Sequence, residues 1–137
     1  LFFQFEKYNL VVEVTYTESS RQDAAERYSV REHLVKRLNE KKDTYALFLA
    51  PSLDLNTLRT YSDSYWWRDI EYDDLKIIPL SIEQYKNIFF KIMSQNEEVK
   101  NLALKELFDN CLLVNRKIMK PNVWRDHINK TISNYLN

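Results

Sequence analysis

Two β-rich runs open the chain, Leu1 to Glu6 and Tyr8 to Thr17, and the polar pair between them predicts a hairpin. In the second run Leu10, Val12, Val14 and Tyr16 share one face, while Val11, Glu13, Thr15 and Thr17 share the other, as the two-residue strand period requires. Ser19 or Ser20 then offers a helix N-cap, and Gln22 is spaced to complete a capping box on Ser19. A helix is predicted from there to about Lys41, with Val30, Leu34 and Leu38 as its apolar stripe.

The continuous apolar run Tyr45 to Ala50, bounded by charge and by Pro51, reads as a strand buried on both faces. Asn56 to Tyr61 predicts a short helix, and Ser62 to Asp74 an irregular acidic loop holding Trp66 and Trp67. Lys76 to Leu80 reads as a second buried strand, and Ser81-Ile82-Glu83-Gln84 is a capping box opening a helix to about Gln95. Two further helices, roughly Glu97 to Val114 and Pro121 to Leu136, complete the chain. Strands alternating with helices imply parallel connections, so the predicted fold is α/β or α+β, a mixed sheet covered by helices.

Composition narrows the function. The 137 residues contain no glycine, where ordinary usage of about 7% would supply roughly ten, so phosphate loops and dinucleotide turns are excluded. The single cysteine, Cys111, excludes an internal disulfide and a thiolate metal cluster, and suggests a reducing compartment. No apolar run reaches the ~18 residues of a membrane span. Twenty basic and twenty acidic side chains cancel, so any contact with nucleic acid must rest on local charge. The chain begins inside a strand without an initiator Met, which is expected of a piece of a longer protein.

Glu13 is a carboxylate inside an otherwise apolar strand. If buried, it needs a metal or a cationic partner; otherwise it is a solvated strand end. Glu26 and His33 lie two helical turns apart on one face of the next helix, and Gln22 joins that face a turn earlier. A strand carboxylate followed by a helix carboxylate suits a hard cation such as Mg²⁺, which takes oxygen ligands and keeps waters. The plainer readings stay open: Glu26 solvated and paired with Arg27 or Arg31, and His33 a packing histidine beside Val30 and Leu34. Arg31, Lys36, Arg37, Lys41 and Lys42 are either phosphate contacts or a solvated basic face. Trp66 and Trp67 either stack on bases or pack under the acidic loop, and His127 reads as a helix edge.

The ordered series Val11-Val12-Glu13-Val14-Thr15, Gln22, Glu26, Val30, His33, Leu47-Phe48-Leu49-Ala50-Pro51, Asn56-Thr57 and Ile77-Ile78-Pro79-Leu80-Ser81 resembles the cleavage domain of AlwI-type type IIS restriction endonucleases and their nicking relatives. The resemblance runs from Leu1 to about Phe90. It implies the restriction-endonuclease-like fold of the PD-(D/E)XK nucleases, with Glu13 as the (D/E) residue and Thr15 where other members carry lysine. It also implies Glu13, Thr15, Gln22, Glu26 and His33 as catalytic residues, with Glu13 and Glu26 holding Mg²⁺. The family's Asp, in a Pro-Asp pair on the first strand, would fall immediately before Leu1.

The expectation is a single nuclease-like catalytic domain over residues 1–137, with a core at 1–95 and a helical C-terminal extension at 96–137. Its expected setting is a bacterial cytoplasmic enzyme with an N-terminal recognition domain in cis. Double-stranded DNA is the expected substrate, a second nuclease subunit is a further candidate partner, and no membrane is involved. Alone, residues 1–137 are expected not to cut. The rival expectation is a catalytically inactive nuclease-fold module that binds DNA or assembles without cutting, which the absent lysine and neutral charge favour.

Overall fold

The computed structural model describes residues 1–18, 21–38, 41–63 and 75–137. The predicted cap at Ser19 or Ser20, the Arg27 side chain, and the loop carrying Trp66, Trp67 and its acidic residues lie outside the described residues. Four strands, β1 (Phe2–Gln4), β2 (Tyr8–Val14), β3 (Asp43–Ala50) and β4 (Lys76–Ser81), form one sheet in the order β1-β2-β3-β4. β1 pairs antiparallel with β2, whereas β2–β3 and β3–β4 are parallel. The expected mixed sheet is therefore present, with β2 and β3 at its centre; the apolar run Tyr45 to Ala50 is central as expected, whereas Lys76 to Leu80 forms an edge strand. Pro79 is tolerated because β4 is an edge strand, where a missing N–H breaks no ladder on the outer side.

Helix α1 (Arg21–Lys36) connects β2 to β3, and α2 (Leu55–Ser62) follows β3. Both cover the sheet face to which Glu13, Thr15 and Phe48 point: Thr15 reaches α1 and the Phe48 ring lies 5.2 Å from that of Tyr61. The other face, with Leu10, Leu47 and Leu80, lies under α3 (Ile82–Ile92) and α4 (Glu97–Cys111). A 3₁₀ turn at Arg116–Ile118 leads to α5 (Pro121–Leu136), whose Trp124, Ile128 and Ile132 join the same buried cluster as the strands. The Trp124 indole donates to the Cys111 carbonyl at 3.0 Å, tying α5 to the end of α4. Proline at the first position of α5 and the Ser81–Gln84 capping box opening α3 are where the sequence puts them.

Several ends are shorter than predicted. The first long helix stops at Lys36 rather than Lys41, with Arg37 N–H donating to the Leu34 carbonyl, because the chain must turn to pair Asp43 with Tyr8. The second strand stops at Val14 rather than Thr17. Val14 and Tyr16 are exposed rather than sharing the buried face of Leu10 and Val12, since the strand end runs past the covering helices. α3 stops at Ile92 and α4 at Cys111, each three residues short of its expected end. Among the described residues no helix is long and apolar enough to cross a membrane.

Candidate active site

The β2–α1 connection decides where the polar groups go. α1 runs back along the sheet from the C-terminal end of β2, so its early residues face Thr15 and its later ones face Glu13. Thr15 Oγ1 donates to Glu26 Oε1 at 3.0 Å, and Glu13 Oε1 lies 2.5 Å from His33 Nδ1. Two residues along a strand span about 7 Å on one face, so the two pairs occupy successive positions along it. Four of the five candidate residues are thus brought together as two interacting pairs.

Each pair has a specific environment. Thr15 is only 5% exposed, and its hydroxyl accepts from the Thr17 amide at 3.2 Å, which commits its hydrogen to Glu26. Glu26 is partly buried and, among the described residues, forms no ion pair, so the pairing with Arg31 is not made. Glu13 and His33 are 23% and 49% exposed at the side chain, and among the described residues no lysine or arginine lies within ion-pair distance of Glu13. His33 is therefore a solvent-reachable partner of Glu13 rather than a packing histidine between Val30 and Leu34, which are themselves fully buried.

Gln22 shares this helix but not the open side of the site. It is fully buried, and its amide donates to the carbonyls of Thr17 at 2.6 Å and Ser52 at 2.9 Å while accepting from the Asp54 amide at 3.0 Å. These bonds join the connection after β2 to the connection after β3, next to the Thr15–Glu26 pair. Asp23, buried beside it, accepts from Thr60 Oγ1 at 2.5 Å and so ties α1 to α2. Sequence reading passed over Asp23; its only signal was a carboxylate in the first helical turn facing a threonine-rich helix.

A cleft of about 380 Å³ opens beside Glu13 and His33 and continues to Phe2, Val11, Lys36 and Arg37. Among the described residues no three His, Cys, Asp or Glu side chains converge as a metal cluster. The donor chemistry nonetheless fits a hard cation: Glu13 and Glu26 offer carboxylate oxygens from one side of the β2–α1 unit, and among the described residues neither forms an ion pair with lysine or arginine.

At the opposite end of β3 lies a second polar cluster that sequence reading missed. Tyr45 donates to Asp109, and Lys105 Nζ bridges Asp109 at 3.0 Å and Asp43 at 3.2 Å. Burial and the Asp109 bond push the Tyr45 phenol well above its ordinary range. Desolvation opposes the charge on Lys105, but its bonds to Asp109, Tyr45 and Asp43 outweigh this and raise it. The cluster fastens α4 to the sheet, far along the strand from Glu13.

The model of the AlwI restriction endonuclease family matches residues 1–88, which contain Glu13, Thr15, Gln22, Glu26 and His33. The chain belongs to the AlwI restriction endonuclease family. The fold of this AlwI-family chain is also that of a solved structure, the small subunit (R.BspD6I2) of the heterodimeric restriction endonuclease R.BspD6I, with a TM-score of 0.74 at 22% identity. The alignment covers 97% of this chain and 66% of that subunit, so helices α4 and α5, beyond the family match, share its fold as well. No curated protein matches the chain.

Proposed function

We propose that this AlwI-family chain is the Mg²⁺-dependent cleavage domain of a bacterial type IIS restriction or nicking endonuclease, hydrolysing DNA phosphodiester bonds. The observation that carries this reading is the pairing of Glu13 with His33 and of Thr15 with Glu26 on one side of the β2–α1 unit. Glu13 and Glu26 hold the cation through carboxylate oxygens. When bound, Mg²⁺ supplies Lewis-acid stabilisation of the phosphoryl oxygens and an acidified water. Thr15 fixes the orientation of Glu26, and Gln22 fixes the two connections around it. A carboxylate partner requires hydrogen on His33 Nδ1, which leaves the Nε2 lone pair to take a proton from the attacking water as one P–O ester bond breaks.

The β1–β2 register supports a third oxygen ligand. Phe2 stands opposite Val11, so two further steps along the register seat a residue immediately preceding Leu1 opposite Glu13, on the same face and about 5 Å away at Cβ. An Asp at that place completes the cation's protein ligands. On this reading DNA is the substrate, site recognition belongs to a domain N-terminal to this one, and a second nuclease subunit cuts the other strand.

A second reading, a nuclease-fold module that binds or assembles without cutting, is favoured by the spacing: among the described residues Glu13, Glu26 and His33 do not converge as a metal cluster. Plasmid nicking by the protein in its full natural length, with Mg²⁺ and with chelator, separates the two. Mg²⁺-dependent nicking supports the enzyme. DNA binding without nicking supports the module.

A further inference from the structure

We infer that Lys36 and Arg37 form a phosphate clamp that holds the DNA strand one nucleotide step from the scissile bond; this rests on the nuclease reading of the same cleft. The two cations lie three and four residues after His33, so the last turn of α1 and the segment that leaves it carry them on His33's face. The cleft beside Glu13 and His33 runs directly to them. Four helical residues advance about 6 Å, the scale of one step along a nucleic-acid strand. A phosphate at Glu13 therefore has its neighbour at the level of Arg37.

Three observations separate this pair from an ordinary solvated basic face. Among the described residues neither Lys36 nor Arg37 forms an ion pair, although the chain has as many acidic as basic side chains. The Arg37 guanidinium lies over the Phe2 ring at 4.4 Å from its centroid, which holds a flexible side chain in place before any ligand arrives. And the nearest charge along the cleft is the Glu13 carboxylate, which repels a polyanion unless local cations offset it. With zero net charge overall, the protein has no general field to do so. Lys42, by contrast, is engaged with the Phe5 carbonyl at 2.8 Å.

The test is binding of a fluorescent DNA duplex in chelator, across a salt series, by the wild type, Lys36→Gln, Arg37→Gln and Arg37→Lys, with nicking kinetics in Mg²⁺ alongside. Each Gln variant is expected to lower the slope of log affinity against log salt by about 0.9, as loss of one phosphate contact does. KM should rise about fivefold or more while kcat stays within about twofold, the pattern of lost uniform binding. Arg37→Lys should retain most of the salt slope. Unchanged slopes and KM in both Gln variants, with the wild type still nicking, overturn the clamp and leave the nuclease reading intact. A lower melting temperature for Arg37→Gln with an unchanged slope also overturns it, marking the guanidinium as cover for Phe2; Lys36, being exposed, carries the same test without that packing role. A wild type that neither binds nor nicks DNA removes the nuclease reading and the clamp with it.

Discussion

Gln22→Met replaces a buried amide by an apolar chain of similar length and removes three hydrogen bonds at once. Each such bond contributes about 0.5–1.5 kcal/mol net. Two of the three partners are reachable by water, since Ser52 is exposed and Asp54 half-buried, so part of the loss is recovered by solvent. The expected destabilisation is about 2–3 kcal/mol, read as a lower urea midpoint at an unchanged slope. For a domain of this size that corresponds to roughly a 6–12 °C fall in melting temperature. Gln22→Glu sharpens the test. Its carboxylate would face the Thr17 and Ser52 carbonyls in a fully buried place, so the folded state keeps the proton longer than the unfolded state. More protons are then bound when folded, so stability falls as pH rises above about 4 and is regained on acidification. A Gln22→Met loss below about 0.5 kcal/mol, or a Gln22→Glu variant whose stability relative to wild type ignores pH between 4 and 7, would refute the claim that this amide locks the two connections together.

Thr15→Val should weaken Mn²⁺ binding and nicking about tenfold, with a stability loss near 1 kcal/mol, because it removes the donor to Glu26 and the acceptor for the Thr17 amide. Thr15→Ser should restore both, and equal behaviour of the two variants would remove Thr15 from the site. Burial pushes the Cys111 thiol up to about 12, and burial with the neighbouring Tyr135 pushes the Tyr8 phenol up to about 12. The unfolded chain loses these protons first, so stability should fall as pH rises from about 9 towards 12, by about 1.4 kcal/mol per pH unit for each group. Urea titrations from pH 8 to 11 check this, and Cys111→Ala should flatten the earlier part of the decline. Placing a Pro-Asp pair ahead of Leu1 should tighten Mn²⁺ binding to residues 1–137, measured calorimetrically, in a manner abolished by Glu13→Gln.

The fold was legible wherever local chemistry dictated it. Tyr45 to Ala50 could only be a doubly covered strand, and the Ser81–Gln84 box and Pro121 announced their helices. Ends were less legible because tertiary closure sets them: nothing in Arg37 to Lys41 forbids helix, but the pairing of Tyr8 with Asp43 requires the chain to turn there. Periodicity made the shared faces legible, Glu13 with Thr15 on the strand and Glu26 with His33 on the helix, but which residue pairs with which was set by how α1 packs on β2. Gln22 was legible as a member of that helix face but not in its bonds, since Ser52 and Asp54 approach it only through the folded sheet. The Tyr45–Asp109–Lys105 cluster was illegible for the same reason, its members being brought together by α4 docking across 64 residues of chain.

The central claim is that Glu13 and Glu26 hold the cation that cuts DNA, and nicking of supercoiled plasmid by the full-length protein tests it most directly. The wild type should nick in Mg²⁺ and not in chelator. Glu13→Gln and Glu26→Gln should each lose at least about a hundredfold in rate, with circular dichroism and melting temperature close to wild type. Nicking that persists at the wild-type rate in a folded Glu13→Gln protein, or that proceeds equally in chelator, would contradict the account.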